Sequence, residues 1–140
     1  MIGPVTPLPR RIRVLIVDDS AAMRGALREL LETDPTFQIV GFAASADEAI
    51  ALAVRVKPDV VTMDLTFPRG NGLDATRALK GFFPDVRVVI VSLSDGAGVH
   101  RAVFEASADA FVHKSTIADR LLDVLKSDRR VVATGDAWGS

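Results

Sequence analysis

Five side chains in this sequence sit where chemistry could gather. Asp18 and Asp19 follow the apolar run Val14–Val17, Asp64 follows Val60–Met63, Ser92 follows Val86–Val91, and Lys114 lies just after Ala110–Val112. Three carboxylates form a hard oxygen site suited to Mg²⁺, which usually keeps several waters and one or two protein carboxylates. A hydroxyl and an ammonium group are donors for anionic oxygens. A phosphoryl group in transfer needs an in-line nucleophile, a metal and donors on its equatorial oxygens. A carboxylate of this set would supply the nucleophile, and the product would be an acyl phosphate. Repulsion and desolvation both oppose the adjacent pair Asp18-Asp19. A divalent cation, not a side-chain partner, is expected to offset that cost. There is no G-x-x-x-x-G-K-[ST] phosphate cradle, so ATP is not the expected direct donor.

Each residue also has a plainer reading. Asp19 or Ser20 would cap a helix, Asp64 would end a strand, Ser92 would lead into a helix, and Lys114 would be a solvated lysine. Their joint appearance at four strand ends of one fold carries the functional reading.

The elements that must position them follow from periodicity. Ile12–Val17, Ile39–Ala43, Val60–Met63, Val86–Val91 and Ala110–Val112 read as five short strands, several apolar on both faces. Such strands suit a parallel sheet covered on both sides. Helical stripes lie between and after them: Met23, Leu27, Leu30 and Leu31; Ala49, Ile50, Ala53 and Val54; Leu73, Thr76, Leu79 and Phe83; Val99, Val103 and Ala106; Ile117, Leu121, Val124 and Leu125. Pro35, Pro58 and Pro84 mark the ends of the first three. Five βα units predict a doubly wound α/β fold with right-handed crossovers. Ligands of such sheets bind outside the C-terminal strand ends, where the five polar residues fall.

Bulk properties narrow the classes. The chain has 140 residues, 49% of them hydrophobic and 25% charged, values of an ordinary globular domain. Net charge is −1 without a basic run, which argues against direct nucleic-acid binding. The absence of cysteine excludes disulfides and thiolate metal sites and is compatible with a cytoplasmic location. No apolar stretch approaches a membrane span. Residues 1–10, rich in proline, read as a flexible leader. Residues 11–126 read as the domain, and 127–140 as a tail or the start of a linker, with Trp138 expected in solvent.

The pattern resembles the receiver domains of bacterial two-component response regulators. "VDDS", "VVTMDLTFPRGNGL", "VVIVSLSD" and "ADAFVHKS" carry the resemblance, which runs from about Arg13 to Leu125. It implies a flavodoxin-like sheet of order 2-1-3-4-5 with five helices. It implies that Asp64 is the phosphoacceptor and that Asp18, Asp19, Asp64 and the backbone carbonyl of Thr66 hold Mg²⁺. Ser92 and Lys114 would bind the phosphoryl oxygens. Ser92 and Phe111 would form the switch, Phe111 turning inward on phosphorylation and altering the face of the fourth helix, fifth strand and fifth helix. The implied partners are a sensor histidine kinase or histidine phosphotransfer protein and an unidentified output partner, with a homodimer on phosphorylation left open. The domain would be no enzyme in its own right, but a phosphoacceptor that assists its own phosphorylation and dephosphorylation.

Some positions depart from the family pattern. Ser115 stands where proline is usual after the lysine, so a trans Lys114–Ser115 bond is expected; a cis non-prolyl bond costs about 3 kcal/mol. Phe67 stands where methionine is frequent, and Gly70-Asn71 predict a more mobile βα loop. Leu93 is bulky for its position and either leans over the site or turns away and packs. Thr66 and Ser94, where the family places a hydrolytic water, are too short to act as bases and predict a long-lived acyl phosphate. His100 and His113 receive no chemical role.

Three other readings compete. A receiver-like scaffold without phosphotransfer would be expected to have lost part of the acidic set, Ser92 or Lys114. An aspartyl-nucleophile hydrolase wants an acid–base carboxylate at the second position after Asp64, and Thr66 is there. The chain could also be the receiver half of a longer DNA-binding regulator.

Overall fold

A computed structural model describes residues 10–67, 70–94 and 96–127. Strands β1 (Ile12–Val17), β2 (Phe37–Ala43), β3 (Val60–Met63), β4 (Arg87–Ser92) and β5 (Ala110–His113) form one sheet of order β2-β1-β3-β4-β5. All four strand pairings are parallel. Helices α1 (Ala21–Glu32), α2 (Ala46–Val56), α3 (Gly72–Phe82) and α4 (Ala97–Glu105) fill the connections, and α5 (Ile117–Lys126) follows β5 after a short 3₁₀ turn at Lys114–Thr116. This is the expected doubly wound, flavodoxin-like architecture.

The central strands β1, β3 and β4 are mostly apolar because both faces are covered, and alternate residues enter different cores. Leu15, Val17, Val61, Met63, Val88 and Ile90 pack with Ala49 and Ala53 of α2, Ala75 and Leu79 of α3, and Val103 of α4. Val14, Ile16, Val60, Val89, Val91 and Val112 pack with Leu27 and Leu31 of α1 and Leu121 and Leu125 of α5. On α5 only Leu121 and Leu125 are fully buried. Truncating Leu121 to alanine would therefore cost on the order of 2–5 kcal/mol and loosen the helix that follows Lys114.

Several boundaries differ from expectation. β2 begins at Phe37 because Phe37 pairs with Ile12, and the register then shifts between Val14 and Leu15. Val86 belongs to the turn after α3, donating its N–H to the Phe83 carbonyl, so β4 starts at Arg87. His113 pairs with Ser92 and extends β5. Val54 is exposed, because the buried face of α2 is centred on Ala49 and Ala53. Ser20, Ser45 and Asn71 cap α1, α2 and α3 by accepting from backbone N–H groups three residues on. The Asn71-Gly72 pair thus opens a helix, as the βα-loop reading expects. The leader and the tail with Trp138 fall outside the described residues, apart from Arg10 and Ser127.

Candidate functional site

β1 and β3 are neighbours in the sheet, so Asp18 and Asp64 leave adjacent strand ends side by side. Asp18 is 1% exposed and Asp64 5%, whereas Asp19 is exposed. One carboxylate oxygen from each of the three lies within 4.8 Å of the others. Asp18 Oδ1 accepts from the Ser20 backbone N–H at 2.8 Å, and Asp64 Oδ1 accepts from the Leu65 N–H at 3.0 Å. Lys114 reaches in from the end of β5, its Nζ 2.9 Å from Asp18 Oδ2 and 3.4 Å from Asp64 Oδ1.

The electrostatics follow from this packing. Burial, and then the charge of Asp18, push the Asp64 carboxyl above its usual range, against the opposing pull of Lys114. Burial works to lower the Lys114 ammonium, but its bond to Asp18 and the charge of Asp64 outweigh it and hold the group up. The expectation that no side chain offsets the aspartate repulsion is corrected here: Lys114 pairs directly with Asp18. One ammonium against three carboxylates still leaves an excess of negative charge. That surplus, in a cluster of oxygen ligands, fits a hard divalent cation such as Mg²⁺.

Ser92 is buried at the end of β4, its Oγ accepting from the Ser94 N–H at 3.1 Å. Phe111 on β5 is 3% exposed, and its ring centroid lies 4.5 Å from that of His100 on α4. The aromatic expected to turn inward is therefore inward already in this conformation. There is no cis peptide among the described residues, so the Lys114–Ser115 bond is trans as expected. Leu93 is 69% exposed, so its side chain does not pack into the core.

The arrangement of three acids, a hydroxyl and a lysine at four strand ends of a 2-1-3-4-5 sheet can be set beside known proteins. The family model of the response regulator receiver domain matches residues 14–126. This chain belongs to that family. Among solved structures, a two-component response regulator of the LuxR family from Aurantimonas sp. SI85-9A1 is 34% identical with a TM-score of 0.78, covering 81% of each chain. The response regulator domain of Thermotoga maritima CheB is 33% identical with a TM-score of 0.80, covering 89% of this chain and all of its own. The transcriptional regulatory protein DegU of Brevibacillus brevis is 32% identical over 91% of this chain and 52% of its own length. The receiver thus spans about half the length of that relative, and about a third of a 36% identical protein-glutamate methylesterase from Geobacter sulfurreducens.

Two further residues of this receiver shape the site without having been singled out from sequence. Gly72 donates its N–H to the Leu65 carbonyl at 3.0 Å, and a Cβ there would lie 1.9 Å from the Asp64 carbonyl oxygen. Only glycine allows the start of α3 to approach the Asp64–Leu65 backbone so closely; the Asn71-Gly72 pair was its one local signal. Arg24 on α1 donates from Nη1 to the Asp18 carbonyl at 2.6 Å, fastening the first turn of α1 to the end of β1. No local pattern in α1 marks it. Thr66, two residues beyond Asp64, forms an isolated bridge to Asn71.

Proposed function

We propose that this receiver is a phosphorylation-dependent signalling switch in which Asp64 is the phosphoacceptor. The observation that carries the reading is the placement of Lys114 between Asp18 and Asp64, at 2.9 and 3.4 Å, inside a buried acidic cluster. In the proposed step an Asp64 carboxylate oxygen bonds to the phosphorus of a phosphohistidine on a kinase or phosphotransfer protein. The P–N bond breaks, its electron pair stays on the histidine nitrogen, and that nitrogen is reprotonated from solvent. Lys114 and Ser92 would donate to the phosphoryl oxygens as charge shifts onto them. Asp18, Asp19, Asp64 and the Thr66 carbonyl would hold Mg²⁺, which when bound supplies charge neutralisation to the acidic cluster and the phosphoryl oxygens.

The new acyl phosphate brings a charge of about −2, which would draw Ser92 and Lys114 onto its oxygens. Because Phe111 is already inward, the signal in this reading is a change in how firmly that inward rotamer and the α4–β5–α5 face are held. No helix among the described residues is long and apolar enough to cross a membrane. A scaffold role without phosphotransfer is the alternative; the complete acidic set with Ser92 and Lys114 supports the switch over it. The LuxR-family and DegU similarities support a second proposal, that the chain is the receiver portion of a longer DNA-binding regulator. Intact mass spectrometry after incubation with acetyl phosphate and Mg²⁺ tests the switch. Wild type should gain one phosphoryl group and Asp64→Asn none; labelling of Asp64→Asn at the wild-type level would end the assignment.

A further inference from the structure

His113 lies at the end of β5, directly before Lys114, and Leu93 lies directly after Ser92 at the end of the neighbouring strand. The two segments are joined through the histidine ring. Nε2 is 2.9 Å from the Leu93 carbonyl oxygen, and Nδ1 is 2.6 Å from Ser115 Oγ and 3.1 Å from the Ser115 backbone nitrogen. Neither backbone partner leaves a choice of role. A carbonyl only accepts, so Nε2 carries the hydrogen; a backbone N–H only donates, so Nδ1 presents its lone pair. The Ser115 hydroxyl then donates to the same nitrogen.

On this geometry, and resting on the phosphotransfer reading above, we infer that His113 is a positioning residue for the phosphoryl-binding pair Ser92 and Lys114. Its ring is a cross-strand tie. One end fixes the loop that leaves Ser92, and the other caps the 3₁₀ turn Lys114–Thr116 by accepting from Ser115 N–H. The His113 carbonyl adds a third restraint, accepting from Thr116 Oγ1 at 3.0 Å. Ser115 is part of the device: its N–H and its hydroxyl both engage the ring, and a proline there would have neither. The turn after the lysine is thus held by hydrogen bonds through His113. Leu93 takes part only through its backbone, which fits the exposure of its side chain.

The test combines the tautomer with loading kinetics. Long-range ¹H–¹⁵N correlation of the wild-type protein should show the His113 ring protonated at Nε2 with Nδ1 as acceptor. His113→Phe keeps the ring shape and loses both bonds; loading by acetyl phosphate in saturating Mg²⁺ should slow about fivefold, the scale of one net hydrogen bond. His113→Gln, whose amide can reach the Leu93 carbonyl, should recover most of that loss. Leu93→Ala, which keeps the carbonyl, should load like wild type. Melting curves confirm that the variants are folded. Wild-type loading with His113→Phe unimpaired, His113→Gln as slow as His113→Phe, or an Nδ1–H tautomer would overturn the positioning role alone. Failure of the wild type itself to load would overturn the phosphotransfer reading and this role with it.

Discussion

Gly72 sits so close to Asp64 that a Cβ on it would lie 1.9 Å from the Asp64 carbonyl oxygen and 2.9 Å from its carbonyl carbon. Both of those atoms are backbone, so no side-chain rotation relieves the contact. The start of α3 is therefore packed directly on the Asp64–Leu65 backbone, and the position of the Asp64 side chain depends on a residue with no functional group.

Gly72→Ala should consequently destabilise the domain by about 2–4 kcal/mol, at the severe end for a single substitution, and slow phosphoryl loading. Gly25, in the interior of α1, has nothing within 4 Å of a built Cβ. Gly25→Ala should stabilise by up to about 1 kcal/mol through helix propensity alone. Urea denaturation of the two variants checks the contrast; equal and small effects at both sites would contradict the close approach.

The buried acidic cluster makes a prediction about stability and pH. Asp64 has its carboxyl raised in the folded state by burial and by Asp18. The fold therefore binds that proton more tightly than the unfolded chain does, and the contribution of Asp64 to stability falls as pH rises from the unfolded value of 3.8 through the folded one. Above the folded value the full cost is present. Without metal at pH 7, Asp64→Asn should melt above wild type, because the amide carries no charge to bury. The gap should narrow as pH falls toward the unfolded value. Mg²⁺ should narrow it too, by stabilising the wild type more. Differential scanning calorimetry across pH reads the difference, and an Asp64→Asn variant that melts below wild type throughout would contradict it.

The two adjacent aspartates should differ in their hold on the cation. Asp18 already uses Oδ1 for the Ser20 N–H and Oδ2 for Lys114, whereas Asp19 is exposed. Asp19→Ala should weaken Mg²⁺ binding by roughly tenfold or more, since even the loss of a group that merely supports a metal ligand costs ~10–100-fold. Asp18→Ala should weaken it less and chiefly free Lys114. Isothermal titration with Mg²⁺ separates them; equal losses would mean that Asp18 exchanges its partners for the ion.

What could be read from the sequence was what lies in short contiguous runs. Val14–Val17 followed by Asp18-Asp19, and Val60–Met63 followed by Asp64, state both a covered strand and its polar end. The strand ends then meet because the fold class requires it. Relations that exist only across the sheet were not legible. That Lys114 chooses Asp18 as its nearer partner is a matter of tenths of an ångström between side chains from two strands. His113 looked idle because its partners are a backbone carbonyl on β4's outgoing loop and the nearby Ser115. Phe111 is held inward among the apolar residues of its core and against the His100 ring of α4, a set of contacts that no local pattern encodes. Gly72 was equally quiet, since a required absence of side chain leaves only a glycine to notice.

If the phosphoryl group forms an acyl phosphate on Asp64, borohydride reduction will trap it there. An aspartyl phosphate is reduced to homoserine, which marks its position permanently for peptide sequencing by mass spectrometry. After loading with acetyl phosphate and Mg²⁺, homoserine should appear at position 64 alone, and it should vanish when Mg²⁺ is chelated before loading. Homoserine at position 18 or 19, or phosphate that survives on a serine or threonine while Asp64 stays unmodified, would contradict the account.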